Sequence, residues 1–460
     1  MQPYMGDSPS LSAIGVIKGD TAPYSMSELR NMSLTNGLTP STGPISLSTF
    51  KGQFLYSGPV GTRHVASNEG ASDRFGAEVA ISGDGKYIVV SAQYEDTKGT
   101  DAGSFYVFFR DGETWTQQAH LYGSDTFAND RMGIDIDISY YGDHVIVGSN
   151  ANDSLGNLSG CAHVFVRSGT TWSQYAKLTD PNGYSSDDQF GWSVGMNAAG
   201  TLVAVGVKDD NTNGYSDNGS VALFKKTSTG FIFVAQLIAS QPNSYYRLGY
   251  GTALSGDGKW LACGSIQDSY VAGNSGAVYI YKNTFADNWS VYAKLKPADA
   301  EYRDFFGVDV ALDYQGTVLV AGAYYEDAVG NASGSAYVFN RGVDGTTWYE
   351  IQKLVPANLR ADDHFGWTVN ISPNWEYIII SAEDSNITPH ADVGRAFVYK
   401  REWTGLYTEH LELLSSNPKA NARFGRGVDI NDNGQYAVVS APYEDGVGAD
   451  SGAMYTYKLF

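Results

Sequence analysis

Cysteine, long apolar runs and basic charge are all scarce in this chain. Two cysteines, Cys161 and Cys263, occur in 460 residues and fall at different points of the pattern described below. That excludes a disulfide framework and points to two small buried hydrophobes. No stretch approaches the roughly 18 apolar residues that span a bilayer, so no membrane insertion is expected. Lys and Arg number 30 against 50 Asp and Glu, a formal net charge of −20. Phosphate backbones are neutralised by Lys and Arg, so a nucleic-acid partner is excluded; the acidic balance suits a soluble surface that resists self-association. The opening MQPYMGDSPSLSAIG has no basic region followed by an apolar run, and no secretory signal is expected. The seven histidines have no His-x-x-x-His spacing, and no phosphate loop or paired-cysteine zinc motif appears. Acid pairs such as Glu95-Asp96 and Glu326-Asp327 recur with the pattern, as loop structure would. No enzyme and no cofactor are therefore expected.

What the chain does have is Phe-Gly at near-constant intervals: Phe75-Gly76, Phe190-Gly191, Phe306-Gly307, Phe365-Gly366 and Phe424-Gly425, with Met132-Gly133 and Leu248-Gly249 filling the gaps. The successive differences of these positions are 57, 58, 58, 58, 59 and 59. Seven equal units with strand-like content predict an all-β fold, a seven-bladed β-propeller. Such a ring grows by adding blades, so one domain can exceed the usual size ceiling.

The first unit divides into four strands. Strand A is expected over 76–82, with Val79 and Ile81 alternating; strand B over 86–92, with the apolar run Tyr87-Ile88-Val89-Val90; strand C over 104–110; strand D over 115–121. The Gly83-Asp84-Gly85 turn joins A to B, where Asp-Gly supplies the positive φ angles of a tight hairpin. A continuous apolar run suits a strand covered on both faces. A glycine precedes strand C in all seven copies (Gly103, Gly160, Gly219, Gly276, Gly334, Gly394, Gly452), which implies a backbone angle or an approach closed to side chains. Strand D opens on an aromatic residue at Trp115, Trp172, Phe231, Trp289, Trp348 and either Trp403 or Tyr407, bulk that suits the outward-widening gap between blades.

The last copy stops at strand C, Ala453–Phe460. An unpaired strand C would expose a row of backbone donors and acceptors, and the orphan segment Gln53–Ser57 is the expected N-terminal strand that completes blade seven. Domains are therefore placed at 1–50, a largely irregular segment, and 51–460, the propeller. The first segment repeats Pro-apolar-Ser-apolar-Ser at Pro23, Ser25, Ser27 and again at Pro44, Ser46, Ser48; alternating apolar residues let such a piece add as a strand to a partner.

The Phe-Gly, the hydrophobic strand and the small-residue step Ser440-Ala441-Pro442 resemble the FG-GAP repeat, the family of the integrin α-subunit propeller, over residues 70–460. The resemblance implies a ligand-binding propeller. Integrin-type repeats often hold calcium in an Asp-x-Asp-x-Asp-Gly loop between strands A and B. Here those turns are too short and carry at most two acids, against the six or more oxygens a hard cation takes, so no metal is carried over. The N-terminal motif resembles short Pro-Ile-Ser-x-Ser stretches near the N-termini of structural proteins of tailed phages and large aquatic viruses. It implies an anchor to other virion proteins, with the propeller outward on the virion surface as a capsid decoration, spike or fibre.

Three sets of acids are candidate site residues. One lies about 20 residues after each Phe-Gly in the B–C loop: Asp96, Asp153, Asp210, Asp268, Asp327, Asp384 and Asp445. A second precedes Phe-Gly at Asp73, Asp130, Asp188, Asp304 and Asp363. In a meander the B–C and D–A loops emerge on one face, with Tyr94, Tyr215, Tyr270, Tyr324, Tyr325 and Tyr443 nearby. Carboxylates there serve as Asx-turn acceptors that shape the loops, as a ring that holds cations or cationic ligand groups, or, beside stacking rings, as contacts to a host receptor or glycan. The third set, Glu78, Asp135, Asp137, Asp309 and Asp429, belongs to strand A and is expected in the central channel. The leading expectation is a non-enzymatic virion surface protein that binds a host receptor or glycan; the alternatives are a cellular or secreted adhesion propeller and, further off, a polysaccharide-acting enzyme.

Overall fold

Strand B determines the layering. Its seven copies, from Tyr87–Ala92 to Tyr436–Ala441, are buried at every residue, as the continuous apolar run requires of a strand flanked by other sheets. The computed structural model describes residues 58–460 apart from positions 182, 184, 185, 270, 286, 344 and 346. Every regular element among the described residues is a strand, and the strands form seven four-stranded antiparallel sheets. Six are consecutive meanders; the first runs Phe75–Ile81, Tyr87–Ala92, Ser104–Asp111, Thr114–Leu121. Within Val60–Phe460, hydrophobic clusters form between sheets: Val90, Tyr106 and Phe108 of blade one pack with Tyr436, Val438 and Met454 of blade seven.

The seventh sheet draws on both ends of the chain. Its order is Thr62–His64, Ala453–Lys458, Tyr436–Ala441, Val428–Ile430. Arg63 pairs with Tyr455 and His64 with Met454 in antiparallel register. The strand on that edge thus lies downstream of the expected Gln53–Ser57, which is outside the described residues, as is the 1–50 segment with Pro23, Ser25, Ser27, Pro44, Ser46 and Ser48. Thr-Arg-His carries no apolar alternation, which is why the pattern of hydrophobicity pointed elsewhere.

Both repeated glycines serve the seam between blades. The glycine before strand C has φ between +75° and +86° in all seven copies. In six copies it bridges in parallel to the residue ahead of the next blade's Gly, as in Gly160 to Phe190 and Gly452 to Phe75. A Cβ on Gly160 would lie 2.0 Å from the Phe190 carbonyl oxygen. Gly160→Ala is therefore expected to cost about 2 kcal/mol or more, from left-handed backbone strain plus a seam forced apart. Gly112→Ala, at φ +58° with nothing within 4 Å, should cost only the backbone term. Paired denaturant melts check the ranking. Of the Asp84-Gly85 pair, only Gly85 takes a positive φ (+66°). Trp115, Trp172, Trp289, Trp348 and Tyr407 are buried where strand D opens, whereas Trp403 is 93% exposed, so Tyr407 fills that place in blade six.

Candidate functional site: the axial channel and its mouth

Strand A of every blade lines an axial cavity of roughly 350 Å³. The third and fifth residues after each Phe position include Glu78, Asp135, Asp137, Asp309, Asn370 and Asp429, all on its wall. Four aspartates hold the ring from inside. Each accepts a hydrogen bond from the next residue's N–H and one from strand A of the following blade. The inter-blade bonds are Val194 N to Asp135 at 2.7 Å, Met196 N to Asp137 at 2.7 Å, Val369 N to Asp309 at 2.9 Å and Ile81 N to Asp429 at 2.7 Å. Burial pushes these carboxyls up, Asp135 to about 6, Asp137 and Asp309 to about 7 and Asp429 to about 8, against the lowering effect of the N–H donors. Glu78 is also raised by burial, with Arg426 opposing.

The seven B–C loop aspartates fall at three positions, four, three or two residues past the end of strand B. Asp96, Asp153, Asp327 and Asp445 are exposed and accept from the backbone N–H five residues on: Asp101, Leu158, Ala332 and Asp450, at 2.7–3.1 Å. Each donor residue has φ between +47° and +53°, so the carboxylate clasps a left-handed turn. Asn211, Ser269 and Asn386 perform the same task in the remaining blades. Asp210 and Asp268 sit one place earlier, buried inside the blade. Asp268 accepts from Tyr279 Oη at 2.9 Å and pairs with Lys294 at 2.7 Å. Asp384, earlier still, pairs with His364 at 2.6 Å and Arg423 at 3.1 Å. The set preceding Phe-Gly also shapes loops: Asp73, Asp130, Asp304 and Asp363 accept from the N–H three residues back. Asp180, Asp188 and Asp210 bring carboxylate oxygens within 4.8 Å of one another, a group that could hold a cation, though three carboxylates alone fall short of calcium's usual six to eight oxygens.

Tyr94, Tyr325 and Tyr443 lie in a different arrangement, around the mouth of the channel. The residue just before each Phe position is Arg74, Arg131, Gln189, Arg247, Phe305, His364 or Arg423, and all seven have φ between +51° and +57°. That backbone turns their side chains along the rim, against residues that follow strand B of the neighbouring or same blade. Arg74 stacks on Tyr94 at 4.5 Å and on Tyr443 at 4.6 Å; Arg131 also approaches Tyr94 (5.6 Å) and Arg423 approaches Tyr443 (5.3 Å). Tyr325 stacks on His364 with ring centroids 5.0 Å apart. On the opposite arc Asp209 accepts from Gln189 at 2.6 Å and pairs with Arg247 at 3.2 Å. Just inside, Arg426 lies 4.4 Å over Trp367 and 3.4 Å from Glu383, and Lys208 lies 4.3 Å over Trp192. Acids and tyrosines are the conspicuous letters of these loops, and the arginines beside them carry no motif. Aligning the copies one residue upstream of Phe-Gly would have revealed them. The letters Gly191-Trp192-Ser193-Val194-Gly195 match a nucleophile elbow, but the stretch runs along strand A, and Ser193 Oγ donates to Gly249 O at 2.9 Å.

Residues 62–108, 115–165, 172–224, 289–339, 348–399 and 407–457 match the family model described as FG-GAP repeat. Each match runs from strand D of one blade to strand C of the next, and the unmatched unit contains Leu248-Gly249 in place of Phe-Gly. No curated protein matches the chain.

Proposed function

Because the chain belongs to the FG-GAP repeat family, we propose that it is a non-enzymatic binding propeller of a virion surface, held in the particle by residues 1–50 and offering the mouth of its channel to a host receptor or glycan. The observation that carries the binding role is the rim of stacked arginines and tyrosines, Arg423–Tyr443–Arg74–Tyr94–Arg131. Planar rings and forked donors held on a rigid scaffold favour recognition of sugars and polar epitopes. The acids of the same face are engaged by backbone N–H groups or by side chains such as Lys294, Arg423 and Arg247, which favours binding over acid–base chemistry. The repeated Pro-apolar-Ser motif favours the virion anchor. Two measurements test the reading: proteomics of purified particles, and incubation of the recombinant chain with glycans and host cells. Presence in particles and binding without product release are expected. Binding by a chain absent from intact particles would make it an adhesion propeller instead, and product release would make it an enzyme.

A further inference from the structure

Two cations of the rim stand apart from the acidic balance of the molecule. The chain carries −20 overall, and most rim cations are answered by a carboxylate: Arg423 by Asp384, Arg247 by Asp209, Arg426 by Glu383. Arg74 and Arg131 form no ion pair with a carboxylate among the described residues. Both instead lie against the Tyr94 ring, and Arg74 lies also against Tyr443. Stacking fixes the plane of a guanidinium while leaving its N–H edge free to donate, the geometry that matches a carboxylate or sulfate with two parallel hydrogen bonds. On an acidic surface that repels anions at long range, two adjacent cations without acidic partners form a local site for negative charge. Half-buried tyrosine rings beside them offer faces to a pyranose.

Resting on the binding role proposed above, we infer that the Arg74–Tyr94–Arg131 arc of the mouth recognises an anionic sugar, its carboxylate or sulfate held by the two guanidiniums. The site takes acidic glycans and rejects neutral ones of the same length.

The full chain is titrated with a sulfated oligosaccharide, a polyuronate oligosaccharide and an uncharged glucan. Binding of either charged probe, weakened by added salt, is expected, with none of the glucan; the two charged arms separate sulfate from carboxylate recognition. Arg74→Gln with Arg131→Gln should weaken binding about tenfold or more. Arg303→Gln, which removes a cation stacked on Tyr302 elsewhere, should leave it unchanged. Arg131→Gln alone, at an exposed position, serves if the double variant melts early. Arg74→Lys should give an intermediate loss, because it keeps charge and loses the fork. Equal binding of the glucan, binding of acidic peptides in place of sugars, or full affinity in the Arg131→Gln protein would overturn the inference and leave a receptor-binding propeller standing. Failure to bind any glycan or host cell would overturn the binding role itself.

Discussion

Removing residues 60–66 should lower the stability of the propeller by on the order of 5 kcal/mol or more, because that segment supplies the outer strand of the last sheet. The largest single contribution comes from Arg63. Its Nε lies 2.6 Å from Glu444 Oε1, and the Glu444 side chain is fully buried. Equivalent ladder positions link strand D to the B–C loop in other blades: Lys294 with Asp268 and Lys353 with Glu326. Blade six reverses the charges, with Glu412 on strand D and Arg395 on strand C. Arg63 therefore occupies the place of a strand D cation in a blade whose other three strands come from the far end of the chain. Without it Glu444 keeps, among the described residues, Tyr455 Oη and Asn417 Nδ2 as side-chain partners. A buried carboxylate that loses its ion partner in this way costs about 3–5 kcal/mol. The remainder of the loss comes from the bared edge of Ala453–Lys458 and from the His64–Phe108 contact at 5.9 Å. Arg63→Ala alone should reproduce most of the loss, and Arg63→Lys much less of it. Thermal and urea melts of the variants beside the parent chain are the check. Overlapping curves for the parent and the 60–66 deletion would mean that this strand does not hold the ring.

The parts of the fold that repeat were legible, and those that occur once were not. Seven Phe-Gly positions and seven glycines before strand C each meet the same seam, so every copy repeats the signal. The closing strand occurs once, is three residues long, and is recognised by an arginine rather than by apolar alternation. The acids were visible as letters, yet Asp96, Asp210 and Asp384 stand at three successive structural positions, four, three and two residues past the end of strand B. A spacing taken as about 20 residues merged a loop clasp, a buried partner of strand D and a rim residue into one set, although the offsets from Phe are 21, 20 and 19. The arginines of the mouth escaped for another reason. Their φ near +50° is unusual for arginine, and the four arginines share this turn with Gln189, Phe305 and His364, which interrupt the run of one residue type in the sequence. Tyr94, Tyr325 and Tyr443 were named as ring surfaces for a ligand, and their stacking on Arg74 and His364 was beyond reach of the sequence.

The channel aspartates should make the propeller more stable in mild acid than in mild alkali. An aspartate in the unfolded chain titrates near 3.9, while burial holds Asp135, Asp137, Asp309 and Asp429 at about 6, 7, 7 and 8 in the folded one. Between those limits the native state binds more protons than the unfolded state. Stability is then fully present below the unfolded value and is lost as pH rises through 6 to 8. Buried His64, lowered to about 4, acts the other way: its contribution is present above the unfolded histidine value and lost as pH falls toward 4. Four aspartates outweigh one histidine, so the melting temperature should peak near pH 5 and fall by pH 8.5, a difference on the order of a few kcal/mol once channel water has screened part of each charge. Asp429→Asn isolates one member. Blade six already carries an amide at the corresponding place, where Asn370 Oδ1 accepts from Ile371 N at 2.7 Å. An amide at 429 keeps one acceptor for Ile430 N and loses the bond from Ile81 N that ties blade seven to blade one. The variant should be less stable than the parent at pH 5 by about 1 kcal/mol, the worth of one hydrogen bond. By pH 8.5 the gap should close or reverse, because the parent then carries a buried charge that the variant lacks. A parent melting temperature that climbs from pH 5 to 8.5, or a gap that does not depend on pH, would show that these carboxyls are already ionised in the folded ring.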